Sequence, residues 1–164
     1  MINTCRTRFL FSNFSNTNTK PSAMKTTLLF GIFLTASLGL NAQERQIQQS
    51  ELPAEAKTFL AAHFKNPFHH ATKEIEGRRI TYEVVLDNNT EIEFSEAGKW
   101  IEINGKNNPV PTTFIQKQIL DYIKINYPKE AITSIERSDS AYMVEVSTGT
   151  DLKFDARGTF VKIE

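Results

Sequence analysis

Between Ile80 and Asp87 the side chains alternate in character. Ile80, Tyr82, Val84 and Leu86 fall on one side of an extended chain, and Thr81, Glu83 and Asp87 on the other. A period of two bounded by turn residues predicts a half-buried strand. The same pattern predicts strands near 72–76, 80–87, 90–96 and 99–104, and again near 132–137, 141–147, 150–155 and 159–163. Asp87-Asn88-Asn89 and Thr148-Gly149 carry turn chemistry, and Gly98 and Gly158 stand where a short hairpin needs a left-handed residue. Helical spacing appears twice. Ala56, Phe59, Leu60 and Phe64 form one stripe, with Pro53 suited to the first helical position and Pro67 just past the end. Ile115, Ile119, Tyr122, Ile123 and Asn126 form the second, opened by Thr113 and Gln116 at capping-box spacing and stopped by Pro128.

These elements are one unit written twice. A shift of 60 positions aligns 71–104 with 131–164 without a gap and produces nine identities, among them Tyr82/Tyr142, Val84/Val144, Phe94/Phe154, Gly98/Gly158 and Ile103/Ile163. Unrelated segments of this length share about two. Glu91/Asp151, Ile92/Leu152, Trp100/Phe160 and Ile101/Val161 keep their chemistry. The helical stripes are 63 apart, so the helix-to-strand link is three residues longer in the first unit. The predicted fold is α+β: two tandem α-β-β-β-β repeats, 51–104 and 110–164, with an antiparallel sheet and the helices packed on one face. Residues 43–50 read as a linker. A single unit of this size buries only about 60% of its unfolded surface, so two units sharing a core are expected.

The segment ahead of the repeats reads as an address. Met24–Ala42 places a lysine beside a methionine, then an apolar run from Leu28 to Leu40, then Leu40-Asn41-Ala42 before Gln43. This is the layout of a secretory signal peptide with cleavage after Ala42; the run is too short for the roughly 20 residues that cross a bilayer. Residues 1–23 are polar, and Met24 is a candidate start. Cys5 is the only cysteine, so the exported part has no disulfide, catalytic thiol or Cys-based zinc site. The zero net charge hides an asymmetry. All 19 acidic residues lie at or after Glu44, whereas Arg6, Arg8, Lys20 and Lys25 precede it; the exported part therefore sets 15 basic against 19 acidic side chains, a balance of −4. That balance argues against a nucleic-acid binder, which needs a basic stripe, and it gives no reason to expect attraction to anionic membrane.

Taken together, Tyr82-Glu83-Val84-Val85-Leu86 with Glu91 to Ile103, and Tyr142 to Val146 with Asp151 to Ile163, resemble the PepSY-like, beta-lactamase-inhibitor-like proteins, exported proteins common in Bacteroidetes. The helix starts Leu52-Pro53 and Val110-Pro111 are also similar to that family, and the resemblance spans roughly 50–164. It implies a tandem arrangement like that of the beta-lactamase inhibitor protein and a role in binding or inhibition, and it supplies no catalytic residues. The inhibitor protein is stapled by disulfides, which the exported part of this chain cannot form.

Candidate sites follow from phase. If Ile101 and Ile103 set the inward phase of their strand, Trp100 points to the opposite, open face, and Val161 and Ile163 place Phe160 likewise. Val85 and Met143 also fall out of the inward phase. Apolar side chains on an open sheet face are what a protein-binding surface needs; the competing expectation is that the two rings fold over a hairpin edge or fill a contact between the units. His63, His69 and His70 have no helical His pair or second ligand cluster and read as solvated, the last two in a loop after Pro67. Glu91 and Glu93 read as a solvated strand face. No nucleophile motif, calcium loop or phosphate loop is present, so neither cofactor nor metal is expected. The expected function is a non-enzymatic, periplasmic or secreted protein-binding module that meets an unknown cell-envelope partner through its open sheet face. The alternative is a small-ligand or envelope-stress sensor module of the periplasm.

Overall fold

The computed structural model describes residues 43–164, so the leader and signal-peptide expectations for 1–42 lie outside the described residues. The chain forms β1 (Gln43–Ile47), a 3-10 turn (Gln49–Glu51), α1 (Ala54–His63), β2 (Phe68–Glu76), β3 (Arg79–Leu86), β4 (Glu91–Ser95) and β5 (Trp100–Asn104). Then come α2 (Lys117–Asn126), β6 (Ile132–Arg137), β7 (Ala141–Val146), β8 (Thr150–Asp155) and β9 (Phe160–Ile163). The strands make one nine-stranded sheet in chain order, every pair antiparallel. The repeats are α1 with β2–β5 and α2 with β6–β9, and they join where β5 pairs with β6. The helices begin at Ala54 and Lys117, 63 positions apart, as the longer first link requires.

Three local expectations are corrected. Residues 43–50, read as a linker, include β1, which pairs with β2 from Gln43↔Ile75 to Ile47↔Ala71. Only Ile47 of that strand is buried, so a polar edge strand carried no apolar alternation to read. β2 starts at Phe68, which places His69 and His70 in a strand and not a loop. The capping box of Thr113 and Gln116 is absent: Gln116 is the N-cap of α2 without a side-chain cap bond. Instead Thr113 Oγ1 lies 2.8 Å from His63 Nδ1 at the end of α1, and Gln116 Nε2 donates to the Tyr142 hydroxyl at 3.0 Å and the Ala156 carbonyl at 3.2 Å. Tertiary partners have taken both side chains from the helix end.

One core lies between the helices and one sheet face. Ala56 and Leu60 of α1 and Ile119 and Ile123 of α2 are buried with Val84, Ile92, Phe94 and Ile103 and their counterparts Val144, Leu152 and Phe154. The position of each helix is set by a hairpin glycine. Gly98, between β4 and β5, has φ +79°, and a Cβ there would meet the Ala56 backbone nitrogen at 2.8 Å and the Pro53 Cβ at 2.9 Å. Gly158, between β8 and β9, has φ +81°, and a Cβ would meet Gln116 Oε1 at 2.8 Å and Gln118 Cβ at 3.2 Å. Each hairpin thus presses bare backbone onto the first turn of its own helix.

A glycine series tests this seating. Gly77 also has positive φ but open space around it, so Gly77→Ala should cost only the left-handed backbone term, about 1 kcal/mol. Gly98→Ala should cost about 3 kcal/mol or more, because it adds collision with backbone. Gly158→Ala should fall between the two, because part of its collision is with a flexible glutamine. Urea denaturation of the three variants measures the order.

Candidate functional site on the uncovered sheet face

Two equivalent β-bulges turn Trp100 and Phe160 away from the open face on which strict alternation places them. Glu93 pairs with Glu102 but the next residue, Phe94, pairs with Trp100, leaving Ile101 as the extra residue. Lys153 pairs with Lys162 and Phe154 with Phe160, leaving Val161 extra. A bulge shifts the alternation by one, so Trp100 lies on the same side as Ile103. Trp100 is 8% exposed and belongs to the core, and Phe160 is half-buried against that core. The run Trp100-Ile101-x-Ile103, apolar at positions that cannot share one face of a regular strand, was the available signal.

Both rings complete the same aromatic group beneath their helix. Phe59 of α1 meets Phe94 edge-on at 5.9 Å and stacks near Trp100 at 6.5 Å. Tyr122 of α2 meets Phe154 edge-on at 5.4 Å and stacks on Phe160 at 4.4 Å. Phe114 adds a further contact to Phe59 and Trp100 in the first group. Trp100→Ala should therefore cost about 3–5 kcal/mol of stability, with a smaller loss for Phe160→Ala. Unchanged melting of the Trp100 variant would contradict its core placement.

Val85 and Met143 do lie on the uncovered face, both partly exposed. Their neighbours are mostly charged. Following strand pairing from β2 to β9, one line across the sheet reads Thr72, Glu83, Glu93, Glu102, Glu136, Met143, Lys153, Lys162. The adjacent line reads His70, Val85, Glu91, Asn104, Ser134, Glu145, Asp151. Four glutamates thus stand side by side on β3 to β6, and lysines follow on β8 and β9. Directly opposed like charges oppose folding. Two cations offset them in part: Arg79 reaches Glu93 at 3.1 Å, and Lys106, paired at 2.6 Å with Glu91 of the adjacent line, acts on Glu83 and Glu102. Glu83, Glu91, Glu93, Glu102 and Asn104 surround a recess of about 60 Å³.

Burial raises the Glu83 carboxyl above its ordinary range, and Glu91 and Glu74 add to it. Burial likewise raises Glu102, with Glu136 and Glu93 adding to it. A carboxyl raised in the folded state holds its proton more readily there than in the unfolded chain, so stability falls as pH rises through and just above the carboxylate range. The neutral variant Glu83→Gln/Glu102→Gln should melt higher than the parent at pH 7, by about 2–4 °C. The gain should vanish as pH falls towards about 4. Thermal melts across that range check the sign.

The histidines do not join this face into a centre. His69 and His70 place their Nδ1 atoms 2.7 Å apart. Among the described residues, no group of three or more His, Cys, Asp or Glu side chains is placed to hold a metal ion. Among the same residues, no helix is long and apolar enough to cross a membrane.

Comparison with known proteins adds context. A family model described as "putative beta-lactamase-inhibitor-like, PepSY-like" matches the chain twice, over residues 39–90 and 80–162. No curated protein matches the sequence. Among solved structures, a "putative periplasmic protein from DUF2874 family" of Bacteroides vulgatus is 33% identical, with a TM-score of 0.70, covering 74% of this chain and 96% of its own. A "putative calcium-regulated periplasmic protein" of Bacteroides thetaiotaomicron is 32% identical, with a TM-score of 0.72 and the same coverage of 74% and 96%. A second Bacteroides vulgatus protein, described as periplasmic and of unknown function, is 30% identical, with a TM-score of 0.71, covering 74% of this chain and 99% of its own.

Proposed function

Because the chain belongs to the PepSY-like family, we propose that it is an exported, non-enzymatic binding module whose uncovered sheet face docks a protein partner in the cell envelope. The observation that carries this reading is the line of Glu83, Glu93, Glu102 and Glu136 across the face that, among the described residues, no helix covers. Four abreast, these carboxylates cost stability that a partner presenting basic groups would return. Val85, in the adjacent line, and Met143, next to Glu136, supply apolar contact, and Lys153 and Lys162 beyond Met143 give the surface a direction that fixes how the partner lies. Trp100 and Phe160 have no part in this contact, since they hold the helices in place. The family description fits binding or inhibition, and the periplasmic descriptions of the relatives fit export.

The test uses photo-reactive side chains in cells of the natural host. Probes at Val85 or Met143 should capture a discrete partner, and a control probe at Ile125, which is 77% exposed on α2, should not. Capture should weaken with added salt, which screens exposed charges over a Debye length of about 10 Å at 0.1 M, and with Glu93→Gln/Glu136→Gln, which removes the charges. Capture only from the helix side, or capture indifferent to these charges, would refute the reading. The calcium-regulated description of one relative makes calcium the competing occupant, although the carboxylates as placed do not form a ligand set. A calcium-dependent rise in melting temperature, reversed by chelator and abolished by Glu83→Gln/Glu93→Gln/Glu102→Gln, would favour calcium over a protein.

A further inference from the structure

The junction between the repeats carries a second surface, separate from the uncovered face. β5 and β6 pair at only three positions, Glu102↔Glu136, Ile103↔Ile135 and Asn104↔Ser134. Beyond Glu102 the strands part, and a cleft of about 380 Å³ opens between them. Its floor is aromatic: Trp100 and Tyr142 lie with ring centroids 6.5 Å apart, and the Tyr142 hydroxyl is held by Gln116. Arg137 comes from β6 and sets its guanidinium carbon 4.5 Å from the centre of the Trp100 ring. Lys99 lines the same cleft from the β4–β5 turn, and Asp139 lines it from the β6–β7 turn.

Charge and shape narrow the ligand. Among the described residues, neither Arg137 nor Lys99 makes an ion pair. A guanidinium attracted to a ring face still has N–H groups to donate to a carboxylate. Two cations against one carboxylate leave room for a single negative charge, which suits a carboxylate better than a doubly charged phosphate. The aromatic floor and Ile101 offer apolar contact beside it, and the volume lies within the range of small-ligand sites. The second repeat does not reproduce its lining. The position equivalent to Lys99 is Thr159, and among the described residues no strand pairs beyond β9, the counterpart of β5.

We propose that this cleft binds a ligand carrying one carboxylate next to an apolar or aromatic group, either a small organic acid or the C-terminus of a peptide. Arg137 grips the carboxylate, Lys99 adds attraction, and Trp100 and Tyr142 receive the apolar part. Trp100 is the only tryptophan in the chain, so its fluorescence reports directly on the cleft.

Four probes are titrated into the full chain: 3-phenylpropionate, a tripeptide ending in phenylalanine, the C-terminal amide of that tripeptide, and inorganic phosphate. At least one carboxylate should give a saturable change with Kd below about 1 mM, and the amide and phosphate should give none. Response to the tripeptide alone identifies a peptide end; response to 3-phenylpropionate identifies a small acid. Arg137→Gln should weaken binding about tenfold or more, and Arg137→Lys should retain part of it. Should Arg137→Gln fail to fold, Lys99→Gln, at an exposed turn residue, serves in its place with an expected loss of about threefold. No response to either carboxylate up to about 10 mM, an equal response to the amide or phosphate, or full binding by a folded Arg137→Gln would overturn the proposal.

Discussion

The absence of a side chain at Gly98 and Gly158 governs the rest of this structure. Each glycine lets the turn of a hairpin lie against the first turn of the helix that opens its repeat, so close that a Cβ would collide with backbone at Gly98 and crowd side chains at Gly158. The contact fixes where the helix sits on the sheet. Once it is fixed, Phe59 in one repeat and Tyr122 in the other stand over the same strand positions and close the same aromatic group with Phe94 and Trp100, or Phe154 and Phe160. The bulges at Ile101 and Val161 belong to this arrangement, since they turn the large ring of each hairpin under the helix.

With both helices held on one face, the apolar side chains are concentrated there and the other face is left to charge. That face is organised crosswise: glutamates run abreast over the middle of the sheet and lysines follow towards β9. Burial and mutual repulsion raise Glu83 and Glu102, so the surface holds electrostatic free energy that a cationic partner would release. The joint between the repeats is a separate consequence of duplication. The two repeats join along three residue pairs, and the unpaired ends of β5 and β6 leave a cleft that neither repeat has alone.

Much of the architecture was legible in the chain. The 60-residue register brought Tyr82, Val84, Phe94 and Gly98 onto their counterparts, and the structure gives the pairs equivalent places. Strand number and helix faces within the repeats followed from periodicity alone. Three features were not legible for physical reasons. β1 is a polar edge strand whose order comes from pairing with β2 and not from burial. Thr113 and Gln116 have capping chemistry but are taken by His63 and Tyr142, partners far away in sequence. Strict alternation places Trp100 and Phe160 on the wrong face because it cannot accommodate a bulge. That Val85 and Met143 lie off the inward phase is legible in the sequence, but the line of glutamates beside them depends on pairing registers that no single strand reveals.

The account rests on one sheet face being covered and the other open, which neighbouring residues of β6 can report. In a chain with Cys5 replaced by serine, a cysteine is placed either at Glu136, exposed on the uncovered face, or at Ile135, 1% exposed beneath the helices. Labelling by a small thiol reagent under native conditions should be fast at 136 and limited by unfolding at 135. Similar rates at the two positions, or protection at 136 in the isolated protein, would contradict the separation of faces from which the docking surface is inferred.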